Sequence, residues 1–264
     1  MRYVYFTKFL QALDLAGLVA FCKEVGLDGL DLAVRPGSPV NPDNAATTLP
    51  ELVKRCRDEK LFVGLLSAPT DMADPAGKTA QAIFEAAAKA GVPAVKIGYF
   101  TYRAPFDDTL AEARKRLAGF GRLAEKTGVR ACYHTHSGNF IGNNAASLRL
   151  LLHDGDPHHI GAYFDTGHTV INGGPPRIEI DILRSWLSLV AIKDMAWEHG
   201  EKSWTSHIVP AGQGIVRWGD VGQGLKEARF NGTVSLHGEY EIKEIAERKK
   251  VAQEELAFLK KHLG

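Results

Sequence analysis

What most restricts this chain is the regular return of short strand-like runs, at Tyr3–Thr7, Gly29–Val34, Leu61–Ser67, Ala94–Tyr99, Arg130–His134, Gly161–Asp165, Leu187–Lys193 and Thr233–Glu239. Helical patterns lie between most of them, at Leu13–Val25, Leu49–Lys60, Thr79–Ala90, Thr109–Thr127, Ser147–His153 and Ile180–Ser185, and Ile242–His262 closes the chain. Several stop at glycines (Gly26, Gly91, Gly128), and Pro50 suits a first helical turn. Strand–helix units repeating at roughly 30 residues in a chain near ~250 residues are what an eight-stranded (β/α) TIM barrel requires. An open doubly wound sheet would place a glycine-rich turn after its first strand, and none is present. No linker or low-complexity stretch divides the sequence, so residues 1–264 are read as one α/β barrel domain.

Composition bears on the kind of partner. With 45% hydrophobic residues the chain can bury a large core unaided. Lys and Arg number 32 against 31 Asp and Glu, a net charge of +1 without clustering, which leaves no electrostatic footprint for nucleic acid or an anionic membrane. A small molecule is the better expectation. Cys22, Cys56 and Cys132 are far apart and form no metal-spaced pair, favouring a reducing compartment. The N-terminus reads as a first strand with no secretory apolar region, and no apolar run is long enough to span a bilayer. A cytoplasmic protein is expected, and a homodimer is compatible with the fold.

Barrel active sites assemble at the C-terminal ends of the strands. In this sequence those ends carry Asp31 and Arg35, Lys96 and Tyr99, His134 and His136, Asp165 and His168, Lys193 and Asp194, and His237 and Glu239. With strand period two, Ser235, His237 and Glu239 share the face turned into the barrel, where a carboxylate is costly unless paired or metal-bound. Glu239 is therefore the leading catalytic candidate. His134 and His136 share a face with Cys132 and can converge on one metal or flank one substrate; a hydrogen-bonded pair of barrel-lining histidines is the competing reading. Asp165 and His168 can supply an oxygen and an imidazole to one site, or Asp165 can cap the following turn. Lys193 points inward and can steady an enolate oxygen, or form a structural pair with a carboxylate. Asp194 is placed behind it. Arg35 can clamp a carboxylate, a phosphate or vicinal hydroxyls, against a surface salt bridge, and Lys96 and Tyr99 invite the same paired reading. Gly212–Trp218 resembles an anion cradle, which a tight loop carrying Trp218 into the core explains equally well. Trp197 and Trp204 can wall a sugar pocket, with ordinary packing as the alternative.

The segments Gly29–Gly37, Tyr133–Gly138, Asp165–His168, Ile192–Trp197 and Leu236–Tyr240, taken in order along almost the whole chain, resemble the xylose-isomerase-like sugar phosphate isomerase/epimerase family. The resemblance implies a (β/α) barrel that isomerises, epimerises or dehydrates sugars and keto-polyols, often with one divalent cation (manganese, magnesium, cobalt or zinc). Carried over by position, Asp165 and Glu239 match the family's Asp and last Glu. His134 stands where the family has a strand-five Glu, as in the inosose-dehydratase-like branch, and Ala191 stands where it has a strand-seven His. The implied cation ligands are His134, Asp165 and Glu239, with Asp194, His136 or His168 completing the shell; a metal-free site is the alternative. Glu239, Lys193, His136 and His168 are the catalytic candidates, with Arg35, Lys96, Tyr99, Trp197 and His237 against substrate. The expected activity is isomerase or epimerase. A dehydratase on a keto-sugar and a catalytically silent sugar-binding barrel are the alternatives, and the charge balance argues against a DNA-cutting member.

Overall fold

The computed structural model describes residues 1–264. Eight parallel strands close in the order β1 (Arg2–Phe6), β10 (Thr233–Leu236), β7 (Leu187–Ile192), β6 (Ile160–Asp165), β5 (Arg130–His134), β4 (Ala94–Lys96), β3 (Phe62–Ser67), β2 (Gly29–Ala33). Around them pack α1 (Leu15–Val25), α2 (Ala45–Asp58), α3 (Lys78–Ala90), α4 (Phe106–Thr127), α5 (Ala145–Leu152), α7 (Pro176–Leu183), α8 (Trp218–Glu227) and α9 (Ile245–Leu263), while the short α6 (Thr166–Ile171) follows β6 directly. The expected barrel is therefore observed. No helix is long and apolar enough to cross a membrane, and the three cysteines are free and buried.

Alternation along the strands sorts the barrel's interior into an apolar floor and a polar mouth. Val4, Leu65, Ala94, Cys132, Tyr163, Leu189 and Ala191 form a separate buried cluster inside the barrel. Two residues further along the same strands come Phe6, Ser67, Lys96, His134, Asp165 and Lys193. Ala191, at the position of the family's histidine, is part of that floor and wholly buried.

Four features differ from the sequence reading. The strands β2, β4 and β10 end early, so Arg35, Tyr99, His237 and Glu239 stand on the loops that follow them. A two-stranded antiparallel hairpin, β8 (Asp194–His199) with β9 (Trp204–Val209), rises from the end of β7. Helix α2 begins at Ala45, so Pro50 lies inside it rather than in its first turn. Helix α8 was not expected because Gly219, Gly222 and Gly224 lower its intrinsic propensity; a Cβ on Gly222 would fall 2.2 Å from the carbonyl oxygen of His262, so close packing on α9 demands the glycine.

Candidate active site

The mouth of the barrel holds a small cleft of about 60 Å³ lined by polar side chains from nearly every strand end. Its centre is the Lys193 ammonium, whose Nζ lies 2.8 Å from Glu239 Oε1, 3.0 Å from His168 Nε2 and 3.5 Å from Asp165 Oδ2. Burial alone would strip a proton from this lysine, but Asp165 and Glu239 outweigh burial and raise its pKa above the ordinary value. The converse holds for the carboxyls: burial would raise both, yet Lys193 and the neighbouring imidazoles hold Asp165 well below, and Lys193, His237 and Lys8 hold Glu239 below, the usual carboxylate range. Lys8 Nζ closes the outer side of Glu239 at 2.5 Å.

Proton positions on the imidazoles follow from their partners. A carboxylate only accepts, so His134 donates through Nε2 to Asp165 Oδ2 (3.1 Å) and accepts at Nδ1 from the Tyr99 hydroxyl (2.8 Å). His168 accepts the Lys193 proton at Nε2 and therefore donates from Nδ1 to Ser137 Oγ (2.8 Å). His136 donates from Nδ1 to the Ser137 carbonyl (2.7 Å), which leaves the Nε2 lone pair free, and its ring centre lies 3.8 Å from that of His168, the planes tilted by 32°. Burial lowers the pKa of all three histidines, keeping them neutral near pH 7. His237 behaves oppositely. Between Asp31 Oδ2 (3.4 Å at Nε2) and Glu239 Oε1 (3.3 Å at Nδ1), its pKa is raised although burial opposes the shift. Asp31 is itself fixed by Ser67, Tyr163 and Ser235 hydroxyls at 2.7–2.8 Å.

His134, Asp165 and His237 bring ligand atoms within 4.8 Å of one another, so one metal ion can reach all three. Two imidazoles and a carboxylate are a donor set suited to a divalent cation of intermediate softness. This set differs from the expected one. Glu239 is engaged by two lysines and His237 instead. Asp194 faces away from the cluster: its carboxylate accepts from the backbone N–H groups of Met195, Gly212, Gly214 and Val216 and from Trp218 Nε1, at 2.9–3.1 Å. The Gly212–Trp218 loop is thus an anion cradle, but the anion is the protein's own Asp194. A Cβ on Gly214 would fall 2.2 Å from Asp194 Oδ1.

The model of xylose isomerase-like TIM barrels matches residues 19–262. The chain belongs to that family. An inosose dehydratase of Lacticaseibacillus casei is 23% identical over 145 residues, 50% of this chain and 48% of that one. The chain thus spans about half the length of the curated relatives it matches. A D-psicose 3-epimerase crystallised in the presence of D-fructose is 14% identical, with a TM-score of 0.79 over the whole of both chains. The IOLI protein crystallised with a zinc atom is 17% identical, with a TM-score of 0.79 over 99% of both. At these identities the structural likeness is one of fold.

Within this family member, the barrel mouth brings together Arg35, Lys96, Tyr99, His134, His136, Lys193, His237 and Glu239, with Asp165 and His168 directly behind Lys193. Trp197 is not brought there. It lies on the β8–β9 hairpin, 43% exposed and outside the cleft lining, as does Trp204 at 62%. Sequence reasoning missed Tyr163, whose hydroxyl bridges Asp31 and His237 at 2.8 Å from each. The available signal was its place two residues before Asp165, on the same inward face.

Proposed function

We propose that this chain is a sugar or keto-polyol isomerase or epimerase that moves a proton on the carbon beside a carbonyl. The carrying observation is a neutral imidazole with a free lone pair, His136 Nε2, in the same cleft as the Lys193–Glu239 pair. His136 is the general base, a role an imidazole fills well near neutral pH. Lys193, kept charged by Asp165 and Glu239, steadies the oxygen that becomes negative as the proton leaves. Glu239 reaches the cleft from the loop after β10, three strands round the barrel from β5. Once a substrate oxygen draws Lys193 toward itself, Glu239 regains proton affinity and serves as the second proton-transfer group. His168, accepting from Lys193, holds the ammonium in place. His134, Asp165 and His237 would hold a divalent cation (manganese, magnesium, cobalt or zinc), which when bound polarises the carbonyl as a Lewis acid. The substrate is a small sugar or keto-polyol and not nucleic acid, and the buried thiols suit a reducing, cytoplasmic setting.

The dehydratase reading keeps the same site and is favoured by the matched inosose dehydratases. It differs only in the second step, where the second group delivers its proton to a departing hydroxyl, which leaves as water as the C=C bond forms, instead of returning a proton to carbon. Incubating the purified protein with a panel of keto-sugars in D2O, with and without added manganese, tests both readings. Deuterium appearing beside the carbonyl with the carbon skeleton and hydroxyls intact supports the isomerase or epimerase. Loss of water from the product supports the dehydratase. His136→Ala is expected to slow either by 10²-fold or more, on the order of a general base's contribution. No exchange on any member of the panel would overturn the proposal.

A further inference from the structure

We infer that Lys96 and Arg35 form an anion-binding subsite in the cleft, so that the substrate is a sugar or keto-polyol carrying a carboxylate or phosphate group. The inference deepens the proposed function and rests on it for the nature of the carbon skeleton, but on separate residues for the charge. Every carboxylate of the site is already engaged: Asp165 by His134 and Lys193, Glu239 by Lys193, Lys8 and His237, and Asp31 by three hydroxyls and His237. None comes within 4.0 Å of a Lys96 or Arg35 nitrogen, although Asp31 and Glu239 lie near enough to act on Lys96 through space. Lys96 is only 2% exposed, and its Nζ, like the buried Arg35 Nε, has no hydrogen-bond partner.

What these cations touch instead are rings. Lys96 Nζ lies 3.8 Å from the centre of the Tyr99 ring, and the Arg35 guanidinium 5.3 Å from that of Phe6. A ring face offsets part of a cation's desolvation but supplies no counter-charge. Both side chains line the same cleft. Burial, reinforced by Arg35 and only partly opposed by Asp31 and Glu239, pushes the Lys96 pKa well down, and an anion seated between the two would oppose that push. A lysine kept for packing would be paired with one of the nearby carboxylates. Two basic side chains lining one cleft, neither in ion-pair contact with a carboxylate, leave a place for a ligand's charge, which Arg can grip through two nitrogens and Lys as a point charge.

Calorimetric titration of the full chain with D-fructose, D-fructose 6-phosphate, 5-keto-D-gluconate and inorganic phosphate tests this. At least one anionic sugar is expected to bind tenfold or more tighter than D-fructose, and the phosphate and carboxylate arms show which anion is preferred. That preference should fall to less than threefold in Lys96→Met and in Arg35→Gln. Because Lys96→Met removes a buried amine that has no hydrogen-bond partner, its ligand-free melting temperature should equal or exceed that of the parent, so lost binding cannot be ascribed to unfolding. Equal affinity for neutral and anionic sugars, or anion preference surviving in both variants, would overturn the subsite. A Lys96 adduct trapped by borohydride with 5-keto-D-gluconate would also overturn it, making Lys96 a nucleophile instead. Anion preference without deuterium exchange defeats the proton-transfer reading alone; exchange without anion preference defeats the subsite alone.

Discussion

Asp165 and Asp194 are both buried carboxylates at strand ends, at the close of β6 and just beyond β7, yet they are satisfied in opposite ways. Asp194 is wrapped by four backbone N–H groups and an indole, donors with no freedom to leave. Asp165 has one backbone donor, from His168, and otherwise faces Lys193 and His134, side chains that can move and exchange protons. The first arrangement fixes a loop; the second stores charge that a ligand can redistribute. What satisfies a buried charge therefore separates structural from chemical roles better than its burial does, since both are almost wholly inaccessible.

The isosteric pair of variants strains this comparison most. In Asp194→Asn the new amide group faces N–H donors on the loop, leaving several buried donors unpaired at roughly 1–3 kcal/mol each. A stability loss of about 3 kcal/mol or more is expected by chemical denaturation. Asp165→Asn keeps an oxygen for the His168 N–H and leaves Lys193 paired with Glu239, so its stability loss should be smaller, about 1–2 kcal/mol. Its turnover should drop by 10²-fold or more, about 2.7 kcal/mol of barrier. Equal destabilisation of the two variants would break the distinction.

Metal loading gives the next effect. At a concentration about 100 times its dissociation constant, a bound cation stabilises by about 2.7 kcal/mol. Manganese or zinc should raise the melting temperature of the parent but not of His134→Ala, while Asp194→Asn, though less stable, keeps the increment. The smallest effect is expected where the carboxylate is satisfied by water. Asp58 is 60% exposed beside Lys54, and Asp58→Asn should change stability by less than about 0.5 kcal/mol.

The fold was legible because the strand–helix alternation runs nearly unbroken, and the site because period two sends His134, Asp165 and Lys193 to one interior. Pairings were not legible. Lys8 and Glu239 meet across 231 residues of chain, and no local pattern announces such a contact. Asp194 was miscast as a ligand because adjacency to Lys193 says nothing of the loop that folds back on it 18–24 residues later. Trp197 was misplaced for the same kind of reason: the β8–β9 hairpin that carries it outward is set by antiparallel pairing with residues 204–209, not by the barrel's rhythm. Glu239 faces the cleft, but its lysine partners come from just beyond strands one and seven, which period two along its own segment does not reveal.

The most direct test of the account is the rate at which the proton beside the carbonyl of a bound keto-sugar is replaced from D2O, followed by proton NMR for the parent and for His136→Ala. The account predicts measurable exchange by the parent and a loss of at least about 10²-fold in the variant. Exchange by His136→Ala at the parent's rate would contradict it.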